Sequence, residues 1–232
     1  MASGKIATFP QTCPAVELVA QFIDIVLHLD KHLAVLLAKY GIWLYVILFL
    51  VIFAETGLIV TPFLPGDSLL FVAGALAASS AGSFDINILM LVLVVAAILG
   101  DGVNYRVGRW FGPKVFRWED SRFFSRTAFD KAHAFYETHG GKTIVIARFL
   151  PLVRTYVPFV AGVAEMTPAR FTFYNVAGAI LWVVSLCLAG YWFGNLPWVK
   201  SNLTLVILII IGLSLMPLFI AWLRHRQSPK AS

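Results

Sequence analysis

Residues 55–74 read ETGLIVTPFLPGDSLLFVAG, an apolar stretch that nevertheless holds two carboxylates, two prolines and three glycines. Proline removes a backbone donor and disfavours helical backbone at the residue before it. A charged side chain at the centre of a bilayer costs about 3 kcal/mol or more unless it is paired or protonated. A simple membrane helix would avoid this mixture. The stretch is therefore predicted to be a re-entrant element that lines a polar cavity, with breaks at Pro62, Pro65 and Gly66.

The composition of the 232-residue chain is that of an integral membrane protein. Hydrophobic residues make up 59% and charged residues 13%, whereas soluble domains carry about 25% charged residues. The net charge of +6 is interpreted as the positive-inside bias of a membrane protein, so nucleic acid is not an expected partner. The two cysteines lie far apart and predict neither a disulfide nor a zinc site.

The chain is predicted to be all-α, with apolar runs of two lengths. Runs long enough to cross the hydrocarbon cover residues 42–60, 86–106, 171–194 and 203–223. The uncharged run 69–82 is too short to cross and is predicted to be re-entrant. Residues 14–40 mix charged and aliphatic residues, which is typical of an interfacial amphipathic helix. Ser83 and Asp85 can cap the helix that begins near Ile86.

Lys and Arg residues are concentrated in a central loop and at the end of the chain. Both segments are predicted to be cytoplasmic, because basic loops stay inside. The predicted organisation is a single membrane domain, residues 15–226. Its first half, 15–112, and its second half, 143–226, flank the basic loop, 113–142. Residues 1–14 are expected to be a disordered extension, and residues 227–232 form a tail.

Three short motifs recur in the same order in the two halves. FLP at 63–65 returns at 149–151, FVAG at 71–74 returns at 159–162, and GRWFG at 108–112 is echoed by GYWFG at 190–194. Together with the predicted topology, this pattern indicates an inverted repeat with two opposing re-entrant helical hairpins. The second hairpin is expected to break at Pro151 and Pro158. Such folds place the substrate site near the midplane, where discontinuous elements meet.

The two halves carry opposite charges at their breaks. The first half has Glu55 and Asp67, and the second has Arg148 and Arg154. Arginine stays protonated and offers a planar fork of donors that fits phosphate, so both arginines are candidates for a phosphate site. Buried carboxylates can take up and release protons, so both acids are candidates for proton coupling. The alternative is that all four form structural ion pairs that hold the hairpins together.

Other residues have less distinct predicted roles. Asp101, Asn104, Tyr105 and Arg106 are expected to anchor a helix at the cytoplasmic interface, and Trp182 is interpreted as an interfacial or packing aromatic. A secondary role in the cavity is the alternative for five residues, Asp101, Asn104, Tyr105, Thr155 and Asn175. The sequence has no metal-ligand cluster and no nucleophile or cofactor motif. No metal, no cofactor and no enzymatic activity are therefore expected.

Four stretches resemble the DedA family of bacterial inner-membrane proteins, which are relatives of eukaryotic VTT-domain lipid scramblases. They are ETGLIVTPFLPGDSLLFVAGAL from Glu55, GDGVNYRVGRWFG from Gly100, HGGKTIVIARFLPLVRTYVPFVAGVAEM from His139, and the span from Asn175 to Gly194. The resemblance implies paired re-entrant hairpins in a multi-pass protein of the inner membrane. It also implies functional acids at the positions of Glu55 and Asp67 and functional arginines at those of Arg148 and Arg154.

The expected function is transport of a lipid with a phosphate head group, driven by the proton motive force. The resemblance implies recycling of undecaprenyl phosphate as the leading activity. Two alternatives stay open, a flippase or scramblase for phosphatidylethanolamine-type phospholipids and a non-transporting membrane scaffold. The expected partners are an anionic lipid, protons and the inner membrane. An oligomer is possible, because small residues permit close helix contacts without requiring them.

Overall fold

The computed structural model describes residues 29–58, 66–80, 82–115, 140–202, 204–210 and 212. These residues form helices and turns and contain no strand, so the predicted all-α fold is confirmed for this part of the chain. Several predictions concern residues outside the described ranges. They are the N-terminal extension, Pro62 and Pro65, most of the basic loop and the tail.

Eight helices follow one another in the described ranges. They are α1 (Leu29–Tyr40), α2 (Trp43–Gly57), α3 (Gly66–Ser79), α4 (Ile86–Val115), α5 (Lys142–Ala147), α6 (Pro151–Val163), α7 (Pro168–Phe193) and α8 (Pro197–Ser201). Two of them are long and apolar enough to cross a membrane, over Ile86–Gly112 and Pro168–Phe193. Residues 204–210 are also helical.

Two helices differ in length from the prediction. Helix α2 has 15 residues and ends at Gly57, whereas the apolar run continues to residue 60. Fifteen residues rise about 22 Å, less than the hydrocarbon thickness of about 30 Å. Helix α4 passes the expected end at Arg106 and reaches Val115, because its polar end packs along α6 instead of stopping at an interface.

The helix ends follow local sequence signals. Gly41 ends α1 with a left-handed φ of 53°, and its N–H donates to the Leu37 carbonyl at 2.9 Å. Asp85 Oδ1 caps α4 as predicted, accepting from the N–H groups of Asn87 at 2.7 Å and Ile88 at 3.2 Å. Ser83 does not share this role, because its hydroxyl donates to the Ser80 carbonyl at 2.7 Å.

The helical backbone is interrupted just before Pro151, where the second hairpin is predicted to break. Helix α5 ends at Ala147 and α6 begins at Pro151, so residues 148–150 form a turn between them. Pro158 was expected to break the chain again, and this prediction is wrong, because Pro158 lies inside α6. Its ring fixes φ near the helical value, and the helix loses only the bond that would have reached the Arg154 carbonyl.

Helix α3 packs on α7 and helix α6 packs on α4, with backbones in contact. A Cβ at Gly74 would collide with the Cys187 carbonyl, and one at Gly190 with the Phe71 carbonyl. On the other pair, a Cβ at Gly108 would meet the Phe159 carbonyl, and one at Gly162 the Tyr105 carbonyl. Glycine is therefore required at all four positions by close approach of two helices.

Candidate functional site

Five charged side chains from different parts of the fold meet in the interior. Glu55 lies in the last turn of α2 and Asp67 in the first turn of α3. Asp101 lies midway along α4, Arg148 in the turn after α5, and Arg154 in the first turn of α6. The helix ends and the turn let the short acidic side chains reach the arginines. The structure thus brings together all four residues that the sequence singled out, and it adds Asp101.

Arg154 binds Glu55 and Asp67, the two acids at the predicted break of the first half. Its Nη1 donates to Asp67 Oδ1 at 2.6 Å, and its Nη2 donates to Glu55 Oε1. Glu55 has 0% of its surface exposed. Removing one partner of such a buried pair leaves an uncompensated charge and costs about 3–5 kcal/mol. Arg154 therefore ties α6 to α2 and α3 at once.

Arg148 pairs with a different set of groups. Its Nη2 donates to Asp101 Oδ2 and, at 2.7 Å, to Asn175 Oδ1. The Asn175 amide is fixed in turn, because its Nδ2 donates to the Ile98 carbonyl at 3.1 Å. The two arginines thus hold separate acids, Arg148 the one on α4 and Arg154 those on α2 and α3.

Asp101 has other surroundings than the sequence suggested, whereas Trp182 packs in the core, one of its two interpretations, and also contacts the charged groups. Asp101 is 5% exposed, so its preferred interpretation as an interfacial anchor does not fit its burial. The Trp182 indole Nε1 donates to Asp67 Oδ1 at 2.9 Å, and the guanidinium carbons of Arg154 and Arg148 lie 4.8 and 5.8 Å from its ring centroid. The signal for Asp101 was available, because an acid inside a long apolar helix is costly without a partner. No local signal marks Trp182.

Two further polar residues of α4, Asn104 and Tyr105, join helices. Asn104 Nδ2 donates to the Thr155 carbonyl at 2.7 Å and lies 3.4 Å from the Thr56 carbonyl. The Tyr105 hydroxyl donates to the Met166 carbonyl, and its ring stacks on Phe171 with centroids 4.1 Å apart. These buried contacts do not fit the predicted anchoring role, whereas Arg106 is exposed as anchoring requires.

Gly66 lies directly against an acid of the site. It is the first residue of α3, at the predicted break, and a Cβ built on it would collide with the Glu55 carboxylate. The absence of a side chain at Gly66 therefore provides the space in which the Glu55 carboxylate reaches Arg154.

A small cavity lies between the two arginines. It is lined by Thr56, Asp101, Ile144, Arg148, Arg154, Val157, Pro158 and Trp182, and it has room for about one water molecule. Buried polar atoms without a hydrogen-bond partner include Arg148 Nη1, Arg154 Nε and Glu55 Oε2. The site therefore has spare donors on both arginines. Within the described residues, no group of three His, Cys, Asp or Glu side chains is placed to hold a metal ion.

A family model of the VTT domain matches residues 61–192. Protein DedA of Escherichia coli (strain K12) is 52% identical over 212 residues, covering 91% of this chain and 97% of that protein. An uncharacterized membrane protein of Mycobacterium leprae (strain TN) is 43% identical over 183 residues, covering 78% of this chain and 81% of the relative.

Inner membrane protein YqjA of Escherichia coli (strain K12) is 40% identical over 156 residues, covering 66% of this chain and 69% of that protein. No solved structure matches the chain significantly. The family model covers more than half of the chain, and two of these three relatives are described as membrane proteins. The chain therefore belongs to the DedA family of VTT-domain membrane proteins.

Proposed function

We propose that this protein moves a phosphate-bearing lipid across the bacterial inner membrane and that a proton gradient drives this movement. Undecaprenyl phosphate is the leading substrate. The observation that carries the proposal is the pair of buried arginines that line one cavity and retain unpaired N–H donors, Arg148 Nη1 and Arg154 Nε.

Phosphate suits these donors better than a neutral head group does. A guanidinium binds a phosphate through two parallel charge-assisted bonds, and each arginine here has at least one nitrogen to offer without breaking an existing contact. The cavity is too small for a phosphate group in this conformation. Binding therefore requires the arginines to part from their acids and the helices around them to move.

Protonation of the acids can separate the arginines from them. Neutralisation of Glu55 or Asp67 weakens its attraction for Arg154 and lets a phosphate oxygen replace it. Release of the proton restores the ion pair and expels the phosphate. A proton gradient across the membrane would thereby give the cycle its direction.

We also propose the inverted repeat as the basis of alternating access. The contact of Gly108 with Phe159 corresponds, motif for motif, to that of Gly190 with Phe71. The contact of Gly162 with Tyr105 corresponds in the same way to that of Gly74 with Cys187. Two equivalent helix pairs, each joining one half to the other, are what a repeated fold with opposing re-entrant hairpins would produce. The basic loop and the C-terminus are expected on the cytoplasmic side.

The test is reconstitution of the purified protein in liposomes. Movement of undecaprenyl phosphate and of phosphatidylethanolamine between leaflets is followed with and without a pH gradient. We expect undecaprenyl phosphate to move, faster with the gradient, and Arg148→Ala or Arg154→Ala to reduce the rate at least tenfold. Arg170→Ala, at an exposed position in the first turn of α7, is the matched control and should transport normally.

The same assay separates the alternatives. Movement of phosphatidylethanolamine in preference to the phosphate lipid would favour a general phospholipid flippase or scramblase. If the folded protein moves neither lipid, the remaining interpretation is a non-transporting scaffold held together by ion pairs. Transport unaffected by either arginine substitution would remove the proposed phosphate contact. We propose a carrier and no enzymatic step, so the lipid should be recovered chemically unchanged.

A further inference from the structure

Arg148 has a carboxylate of its own, which the leading four-residue hypothesis did not include. Asp101 Oδ2 binds Arg148 Nη2, and the Asp101 side chain is 7% exposed. Asn175 Oδ1 accepts from the same nitrogen at 2.7 Å from the opposite helix, α7. A phosphate that binds Arg148 through two parallel bonds, from Nη1 and Nη2, therefore has to compete with Asp101 for Nη2.

The charges around Asp101 do not balance. The groups that meet here are Glu55 from α2, Asp67 from α3, Asp101 from α4, Arg148 from the turn after α5, and Arg154 from α6. Helix α7 contributes only neutral groups, Asn175 and Trp182. Three carboxylates and two guanidiniums leave an excess of one negative charge when all are ionised. A buried cluster with such an excess favours uptake of one proton by a carboxylate.

We propose that Asp101 is a third functional acid, which holds Arg148 in the absence of lipid phosphate and takes up a proton when the phosphate binds. The inference rests on the proposed function and deepens it by naming the group that the phosphate displaces. The proton comes from water on the side from which the lipid enters. Neutral Asp101 gives up Arg148 Nη2, which then donates to a phosphate oxygen. When the phosphate leaves, Asp101 loses the proton and binds Arg148 again.

This arrangement links phosphate binding at Arg148 to one proton. By linkage, each proton taken up on binding changes the half-saturating lipid concentration about tenfold per pH unit. The probe is undecaprenyl phosphate, bound to the detergent-solubilised protein between about pH 6 and pH 8. The logarithm of the half-saturating lipid concentration is plotted against pH for each protein. The slope of this plot should be lower by one, which is one proton fewer, in Asp101→Asn than in the unmodified protein. In Asn175→Asp, which adds a carboxylate to the same nitrogen, it should be one higher.

Two further variants complete the set. The double variant Asp101→Asn/Asn175→Asp moves the carboxylate from α4 to α7 and should restore the original slope. If Asp101→Asn fails to fold, the slope of Asn175→Asp is compared with that of the double variant, which should be one lower. Asp85→Asn removes an exposed acid that caps α4, and Asn caps as well as Asp does. Its slope should be unchanged.

Binding and transport distinguish failure of this inference from failure of the proposed function. If the lipid is transported but the slope is the same in all four variants, Asp101 does not compete with phosphate, and transport still stands. If the slopes differ as expected but no lipid crosses, the competition stands and transport is wrong. If undecaprenyl phosphate does not bind, both proposals are overturned.

Discussion

The indole of Trp182 is hydrogen-bonded to Asp67, with Nε1 donating to Oδ1 at 2.9 Å. The same oxygen accepts from Arg154 Nη1 at 2.6 Å. The Trp182 ring also lies within cation–π distance of both guanidiniums. One side chain on α7 therefore contacts both arginines and one of their acids.

Trp182→Phe should separate the two contributions of this side chain. Phenylalanine keeps a ring near the arginines but removes the donor to Asp67, and a hydrogen bond to a charged group contributes about 1.5–3 kcal/mol. We expect a folded protein whose lipid transport falls about tenfold. Trp182→Leu, which removes the ring as well, should lower both transport and thermal stability further. Liposome assays and thermal unfolding in detergent measure the two effects.

Trp198→Phe is the control for this pair, because Trp198 is 61% exposed on α8. It should leave both measurements unchanged. Equal transport by Trp182→Phe and the unmodified protein would show that the indole N–H has no part in the cycle.

Two glycines on α4 should respond in opposite ways to alanine. A Cβ at Gly108 meets the Phe159 carbonyl, whereas one at Gly102 meets open space. Gly108→Ala should destabilise the protein by about 1–3 kcal/mol, because α6 must move away. Gly102→Ala should stabilise it by up to about 1 kcal/mol through helix propensity. Thermal unfolding of the two variants side by side tests the close contact, and equal midpoints would contradict it.

Glu165 occupies a backbone conformation that suits glycine. Its φ is 56°, in the left-handed region that costs other residues roughly 1–2 kcal/mol. It follows the end of α6, where the Met166 N–H donates back to the Ala161 carbonyl at 3.0 Å in the manner of a Schellman motif. Glu165→Gly should therefore raise the unfolding temperature. Glu165→Ala keeps the strain and should not, so a gain in both variants would assign the effect to loss of the charge.

Asn104 tests whether a buried polar residue near the site has a structural role alone. Its amide joins α4 to the Thr155 carbonyl on α6 at 2.7 Å. Asn104→Ala should destabilise the protein by about 1–3 kcal/mol and leave the pH dependence of lipid binding unchanged, because no ionised group is lost. Asn87→Ala, at an exposed position on the same helix, should do neither. A changed pH dependence in Asn104→Ala would place this amide among the coupling residues.

Local signals predicted the elements of the fold better than their lengths. Long apolar runs indicated α4 and α7, and Pro151, predicted as a break, is the residue at which α6 begins. The early end of α2 at Gly57 and the extension of α4 to Val115 have no such signal. They depend on where other helices pack. The sequence also did not predict that Pro158 would lie inside a helix. An interior proline removes one backbone hydrogen bond, and α6 continues in spite of that loss.

The charges inside apolar runs predicted which residues would come together in the interior, but not which acid would pair with which arginine. Glu55, Asp67, Arg148 and Arg154 were identifiable because ionised groups in an apolar run need partners. The pairing of Arg148 with Asp101 depends on the position of α4 against the turn before α6, which the sequence does not encode locally. The same holds for Trp182, whose spacing on α7 is that of an ordinary packing residue.

The close contacts of Gly74 and Gly190, like those of Gly108 and Gly162, contain no ionisable group. Their strength therefore does not depend on the charge state of any side chain. The contact between Arg154 and Asp67, which joins α6 to α3, is an ion pair, and its strength depends on the charge of both partners. Under the proposed function, a step that separates Arg154 from Asp67 therefore changes how α6 meets α3, while the glycine contacts within each helix pair stay intact.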